Sequence, residues 1–468
     1  MSQPSTLREL RASGYRSKSV RAELRDNLLA ALADPEGRRG LFPGIVGYDD
    51  SVIPELENAV LAGHHIVLLG ERGQAKSRLI RQLVGLLDEF VPAVDGCEIH
   101  DDPFAPVCAP CRRRAAECGE ELPVVWMSRD RRYGEKLATP DVSIADLIGE
   151  IDPVRIAEGR YLADEEAIHY GLVPRTHRGI FAINELPDLT EKVQVGLFNL
   201  MEERDLQIKG FKVRIPVDVV VVATANPEDY TNRGRIVTPL KDRFDAQIRT
   251  HYPATADEEA AIVELEVSMA EREGRPVRLT DFMKEIVVGL TFEARRAPEV
   301  SQGSGVSVRA SISNFETLLA NAEKRAVVTG EREIVPRISD LHALFPSTNG
   351  KLELEHAFEE DQDSEVFERL VAASVKAAFD RRVDVDSLQP IVDYFAEGWG
   401  VAVSDTMAAA DYAEGVASIP GLRAAIDALG AFETPGLVAA AAEFLFEGLH
   451  VHERLNCSRD GGRVRFGS

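Results

Sequence analysis

Between residues 45 and 252, short and nearly unbroken aliphatic runs alternate with segments whose apolar positions recur every three or four residues. The runs at 66–69, 124–127, 179–183 and 217–225 are continuous rather than alternating, as strands covered on both faces require. Strand and helix in turn predict an α/β fold, a parallel sheet with helices on both sides. Upstream, Val20-Arg-Ala-Glu-Leu-Arg-Asp-Asn-Leu-Leu-Ala-Ala-Leu32 is charged and helix-prone, and it stops at Gly40-Leu-Phe-Pro-Gly44. Downstream of Tyr252-Pro253 the pattern is helical to about 345, with Gly303-Ser304-Gly305 as a turn. An acidic linker at 359–365 precedes a further helical region, in which Phe367, Leu370, Val371, Val375, Ala378 and Phe379 recur at three and four. Alanine-rich runs near 407–413 and 437–443 suit closely packed helices and identify no chemistry. The predicted organisation is an N-terminal helical extension (1–40), an α/β domain (41–252), a helical domain (253–346) and an all-helical C-terminal domain (347–468).

A chain of 468 residues suits roughly two to four domains with ample core. Lys and Arg total 54 against 78 Asp and Glu, a formal net charge of −24. Such a field repels polyanions over most of the surface, so nucleic acid is an unexpected partner and would need a local basic patch. Residues 1–8 hold no apolar core of signal-peptide length, and no apolar run approaches the ~18 residues of a spanning helix. The expectation is a cytoplasmic protein without a membrane segment. No internal repeat is visible.

The chemistry begins at Gly70-Glu71-Arg72-Gly73-Gln74-Ala75-Lys76-Ser77, directly after the run His65-Ile-Val-Leu-Leu69 and before a helical stretch at 78–83. Strand, glycine-bearing loop and Lys-Ser at a helix start make a phosphate-binding loop. Backbone N–H groups face a polyphosphate, Lys76 reaches the β- and γ-phosphates, and the Ser77 hydroxyl ligates Mg²⁺, so ATP and Mg²⁺ are the expected ligands. Ala75 stands where a glycine is usual, which a loop tolerates if φ there is negative.

Residues 178–188 form an apolar strand ending in Asn184-Glu185. Phosphate-loop ATPases carry an acidic pair here, the first supporting Mg²⁺ and the second polarising the attacking water. Glu185 fits the second role; Asn184 keeps an acceptor oxygen but loses the charge, which predicts weaker Mg²⁺ binding. The strand through 219–225 delivers Asn226, which can orient water against the γ-phosphate. Arg243 follows in Pro239-Leu-Lys-Asp-Arg-Phe-Asp245, where an arginine can reach a neighbouring subunit's γ-phosphate. Arg309, in Gly305-Val-Ser-Val-Arg-Ala310, starts a helix and can meet the nucleotide from within its own subunit.

This ordered set resembles the AAA+ ATPases, in the branch of the magnesium-chelatase ATPase subunit and the MoxR-type ATPases, over about residues 45–345. The likeness includes Gly70-Glu-Arg-Gly73, Gly149-Glu-Ile-Asp-Pro-Val-Arg155 with Gly171-Leu-Val-Pro174, Arg178-Gly-Ile180, residues 197–216 and Ala225-Asn-Pro227. It implies that 41–252 binds nucleotide, that 253–346 is its lid, that 149–174 is an insert in the second helix and that 205–216 is a β-hairpin. Alternation across 206–215 supports the hairpin independently, with Lys209-Gly210 at its turn. The resemblance gives Lys76, Ser77, Glu185, Asn226, Arg243 and Arg309 the roles above. It also implies a ring, a hexamer, that hydrolyses MgATP to remodel a partner bearing a von Willebrand A domain. The sigma-54 activators' Gly-Ala-Phe-Thr-Gly-Ala loop is absent, which argues against that role. A DNA-translocating ATPase resembling the MCM helicases, with Lys209, Lys212 and Arg214 as a basic rim, is one alternative; a weakly hydrolysing nucleotide-gated scaffold exploiting Asn184 is another.

Cys97, Cys108, Cys111 and Cys118 crowd a polar insert at about 92–123. Their spacing suits a structural Zn²⁺ site ordering a loop too polar to fold alone. An iron–sulfur cluster, a redox pair at Cys108 and Cys111, and no metal at all remain open, with His100 and Cys457 as substitute ligands.

Overall fold

The computed structural model describes residues 3–157, 165–207, 214–226, 235–268, 272, 274–300, 305–352, 360–416, 418–460 and 463–467. The chain divides into two compact units, Met1–His251 and Tyr252–Ser468.

The first unit is built on a five-stranded parallel sheet in the order Ala246–Arg249, Ile66–Leu69, Val219–Ala225, Gly179–Asn184, Tyr133–Leu137. Pleating sends alternate residues to opposite sides. Ile66, Leu68, Ile180, Ala182, Val220 and Val222 enter one core with Leu24, Leu28, Leu56 and Leu79. Val67, Phe181, Ile183, Val219, Val221 and Ala223 enter the other, with Leu147, Val173, Leu197 and Leu200. This two-sided burial is why the central strands read as unbroken aliphatic runs.

The N-terminal helices are part of the first layer. The Val20–Ala33 helix, capped by the Ser19 side chain, brings Glu23 into the interior. There Glu23 meets Arg132 at 2.7 and 2.5 Å, and the Arg132 Nε donates to the Arg178 carbonyl at 2.7 Å. Both charges are fully paired, as burial of an ion pair demands.

The 124–127 run does not join the parallel sheet. Val124–Ser128 pairs antiparallel with Phe90–Val94 in a separate two-stranded ribbon across the cysteine insert. The sheet's edge is instead Tyr133–Leu137, whose partly exposed Tyr-Gly-Glu-Lys-Leu sequence lacks the aliphatic signature because one flank is unpaired. Asp205–Gln207 and Arg214–Pro216 pair as the expected hairpin; Lys209, Gly210 and Lys212 lie outside the described residues. Gly149–Ile151 and Ile168–Tyr170 form a further antiparallel pair within the 149–174 insert.

In the second unit, the helices Ala256–Glu266, Asp281–Arg296, Arg309–Thr329, Glu360–Asp380 and Pro435–Val451 share one core. Phe282 stacks on Phe444 with ring centroids 4.3 Å apart, and Ala439 to Ala442 are fully buried. The C-terminal region is not all-helical. Val401–Ser404, Arg463–Gly467 and Asn456–Asp460 form a three-stranded antiparallel sheet that places Val403, Val464 and Phe466 on that core. Among the described residues, no helix is long and apolar enough to cross a membrane.

Candidate functional site

The loop after the Ile66–Leu69 strand turns at Gly73 (φ +77°) and Ala75 (φ +53°) before the Lys76–Gln82 helix begins. Ala75 therefore has the left-handed conformation, not the negative φ that its methyl group favours. Its strain, about 1–2 kcal/mol for a non-glycine residue, is held by contacts around the loop. The single Tyr48 hydroxyl proton is shared between the Gln74 carbonyl at 2.9 Å and the His251 carbonyl at 2.8 Å, and burial pushes the Tyr48 pKa up to about 12. The Thr250 hydroxyl donates to Gln74 Oε1 at 2.7 Å. Gly70 is required where it stands, since a Cβ there would lie 1.9 Å from Thr250 Oγ1 and 2.1 Å from Gln74 Oε1. Beside Gly70, Glu71 and Gln74 a cavity of about 510 Å³ is also lined by Lys241, Arg249 and Thr250. Arg72 is exposed.

The Lys76 ammonium is buried in this loop, donating to the Gly70 carbonyl, to the Glu71 carbonyl at 2.7 Å and to Asn226 Oδ1 at 2.9 Å. Asn226 reaches it because Val219–Ala225 lies beside Ile66–Leu69, with Leu69 opposite Ala225. The other end of the same amide, Nδ2, donates to Glu185 Oε2 at 3.0 Å. Glu185 leaves the Gly179–Asn184 strand with φ +55°, and its N–H donates to Thr224 Oγ1 at 3.0 Å. Lysine, asparagine and glutamate are thus joined through one amide, with the glutamate backbone in a sparsely populated conformation of the kind that concentrates at functional sites.

A second chain of contacts starts at Ser77, whose hydroxyl donates to Asn184 Oδ1 at 3.3 Å. Asn184 Nδ2 donates to Glu135 Oε1 at 2.5 Å. Glu135, from the sheet's edge strand, also accepts two 3.0 Å bonds from Arg81 and one from the Tyr133 hydroxyl at 3.0 Å. Partial burial pushes the Glu135 carboxyl up, but the bonds from Arg81, Tyr133 and Asn184 outweigh it and hold the pKa below the usual carboxylate range. The donor set fits a Mg²⁺–polyphosphate: a hydroxyl, an amide oxygen and an ionised carboxylate beside a buried ammonium. Glu135 was not legible from the sequence, because it comes from the polar edge strand 49 residues before Asn184.

Arg243 sits apart from these groups. It pairs with Glu202, donates to the Pro239 carbonyl at 2.6 Å and lies 4.7 Å over the Phe198 ring. Arg309 is the first residue of its helix, exposed, in the second unit. Cys97, Cys108 and Cys111 come together with Asp101. Cys118 does not join them: it is exposed at the end of the Ala109–Cys118 helix, seven residues past Cys111 and so about 10 Å along the axis.

Residues 156–245 match the sigma-54 interaction domain family, a stretch that carries Asn184, Glu185, Asn226 and Arg243. The magnesium-chelatase 38 kDa subunit of Rhodobacter capsulatus is 26% identical over 228 residues, 47% of this chain and 59% of that one. Magnesium-chelatase subunit ChlI of Nostoc sp. is 27% identical over 248 residues, 51% of this chain and 61% of that one. This chain therefore spans only about three-fifths of the length of these relatives. A structure of the complex between subunits BchI and BchD of magnesium chelatase aligns over 70% of this chain and 98% of that chain, at 20% identity and a TM-score of 0.34. The overlap is too loose to carry a functional argument. The ordered motifs and the sequence relatives together place the chain among the AAA+ ATPases, in the branch of the magnesium-chelatase ATPase subunit and the MoxR-type ATPases.

Proposed function

We propose that this chain hydrolyses MgATP and works as a ring-forming motor, a hexamer, that remodels or activates a partner protein carrying a von Willebrand A domain. The observation that carries the reading is the Asn226 amide, which spans from the Lys76 ammonium to the Glu185 carboxylate. One cation to hold the transferring phosphoryl group, one carboxylate to accept a proton from water and one amide to align them are what phosphoanhydride hydrolysis requires of a protein. Ser77 and Asn184 would hold Mg²⁺, with Glu135 returning beside Asn184 the negative charge that the asparagine lacks. When bound, the ion neutralises phosphate charge. Glu185, fixed by Asn226 and by its own backbone bond to Thr224, takes the proton from the attacking water.

Glu185→Gln is the decisive substitution. It should keep ATP binding while slowing phosphate release on the order of a hundredfold or more, as loss of a general base does. Turnover equal to the unaltered chain would remove Glu185 from the reaction.

The chelatase relatives favour a second reading, the ATPase subunit of a metal chelatase. That role needs a separate large catalytic subunit. ATP-dependent metal insertion on adding such a subunit would select it, whereas ATP turnover stimulated by an A-domain protein supports remodelling.

A further inference from the structure

The insert that joins Phe90–Val94 to Val124–Ser128 brings together a second cluster of side chains, none of them among the phosphate-loop residues. We propose that Cys97, Asp101, Cys108 and Cys111 form a three-sulfur, one-oxygen site for a Zn²⁺ ion, with Asp101 and not Cys118 as the fourth ligand.

One ligand atom from each of these four residues lies within 4.8 Å of all the others. The sulfurs of Cys97 and Cys108 are 4.0 Å apart. Two thiolates bound at about 2.3 Å in a tetrahedron would be separated by roughly 3.8 Å. Cys108 caps the Ala109–Cys118 helix and Cys111 lies in its first turn, so the Cys-x₂-Cys unit turns both sulfurs to one point. The Asp101 N–H donates to Cys97 Sγ and the Cys111 N–H to Cys108 Sγ, each at 3.4 Å. Amide donors on thiolate sulfurs are the outer support that metal-bound cysteines use.

Asp101 supplies the independent observation. Its side chain is fully buried. Oδ2 is fixed by the amides of Val107 at 3.1 Å and Cys108 at 2.9 Å, while Oδ1 is buried with no hydrogen-bond partner among the described residues. A buried carboxylate with one idle oxygen is costly unless a cation completes it. The nearby arginines are engaged elsewhere: Arg114 on the Asp95 carbonyl, Arg155 on Glu98, and Arg113 on Glu166. A cavity of about 260 Å³ beside Cys97, Cys108 and Cys111 gives an ion a way in. Three sulfurs with one oxygen select a borderline-soft ion over Mg²⁺ or Ca²⁺. The set, buried at Asp101, Cys108 and Cys111 and half-buried at Cys97, suits a structural role, pinning the insert to the sheet layer that Cys108 and Cys111 already join.

The test uses the full-length chain purified without chelator or added metal. Elemental analysis should find about one zinc per chain, and cobalt exchanged into the site should show the visible absorption of tetrahedral, thiolate-bound Co²⁺. Cys108→Ser should abolish both signals. Asp101→Asn should release zinc to a competing chelator at least tenfold more readily, and Cys118→Ser should change neither content nor release. Protein that holds no metal and gives no tetrahedral cobalt spectrum overturns the site. Loss of zinc in Cys118→Ser, or an Asp101→Asn variant as chelator-resistant as the original, overturns the donor set. A brown, iron-containing protein also counts against it. Circular dichroism on each variant separates metal loss from unfolding.

Discussion

Asn184 is the residue at which this chain departs most from the acidic pair of phosphate-loop ATPases, and in the proposed reading Glu135 is what makes the departure workable. Their contact is 2.5 Å, with the amide donating and the carboxylate accepting. An aspartate at 184 would therefore face a second carboxylate at hydrogen-bond distance, and one of the two would have to bind a proton. Asn184→Asp should accordingly fail to raise turnover at neutral pH, although it restores the commoner residue. Glu135→Gln should raise the Mg²⁺ concentration for half-maximal turnover about tenfold, in line with the loss of a supporting outer group. The double variant Glu135→Gln/Asn184→Asp moves the charge across the same contact, so it should outperform either single change. Strictly additive effects in this cycle would show that the two side chains act independently. The same pair marks where reading the sequence stops. Lys76 and Ser77 announce themselves because one loop must supply both, whereas Glu135 reaches the site only through strand pairing between non-adjacent segments.

At the scale of elements, the Val219–Ala225 strand is fastened near its start by two histidines. The Asp218 N–H donates to His177 Nδ1 and the Val221 N–H to His65 Nδ1, both at 2.9 Å. These bonds need neutral rings. Burial, with Arg21 beside His65 and Arg178 beside His177, depresses the two pKa values to about 4 and about 3. Depressed histidines bind more protons when unfolded, so their contribution is complete above the unfolded value of about 6.5 and is lost as pH falls toward the folded values. At pH 5 the deficit should be on the order of 2 kcal/mol for each ring. The thermal midpoint of the first unit should fall steeply between pH 7 and 5, and His177→Gln should flatten that slope; equal slopes would show that the ring titrates freely. The strand itself was legible as seven unbroken apolar or small residues, fully buried. The 124–127 run carried the same signal and folded differently, because Phe90–Val94 offered a nearer partner. Tyr133–Leu137 was invisible for the converse reason, an edge strand with a polar flank. Among the cysteines, sequence spacing favoured Cys118, but helix geometry carries it away and folding buries an ordinary aspartate beside the other three.

For the molecule as a whole, the question is what completes the site that Lys76, Glu185 and Asn226 begin. Arg243 does not bond to them within its own subunit. It is seated on Glu202, Pro239 and the Phe198 ring, partly exposed on the first unit. In the proposed ring, a guanidinium placed this way acts on the phosphate of a nucleotide that a neighbouring copy brings to it. In the assembled protein, Arg243→Ala should lower turnover on the order of a thousandfold, the lower end for a transition-state arginine, while ATP affinity of the isolated subunit stays unchanged. Mixing then separates trans from cis action. A mixed interface that pairs an intact Glu185 site with an intact Arg243 from the neighbouring subunit should regain activity that neither Arg243→Ala nor Glu185→Gln shows alone. Phosphate release measured across mixing ratios should therefore peak near equal proportions. A flat profile, with assembly verified by sedimentation, would place Arg243 in structural support of Glu202 and Phe198, and Arg233, outside the described residues, or Arg235, exposed eight residues before Arg243, would become the next arginine to substitute.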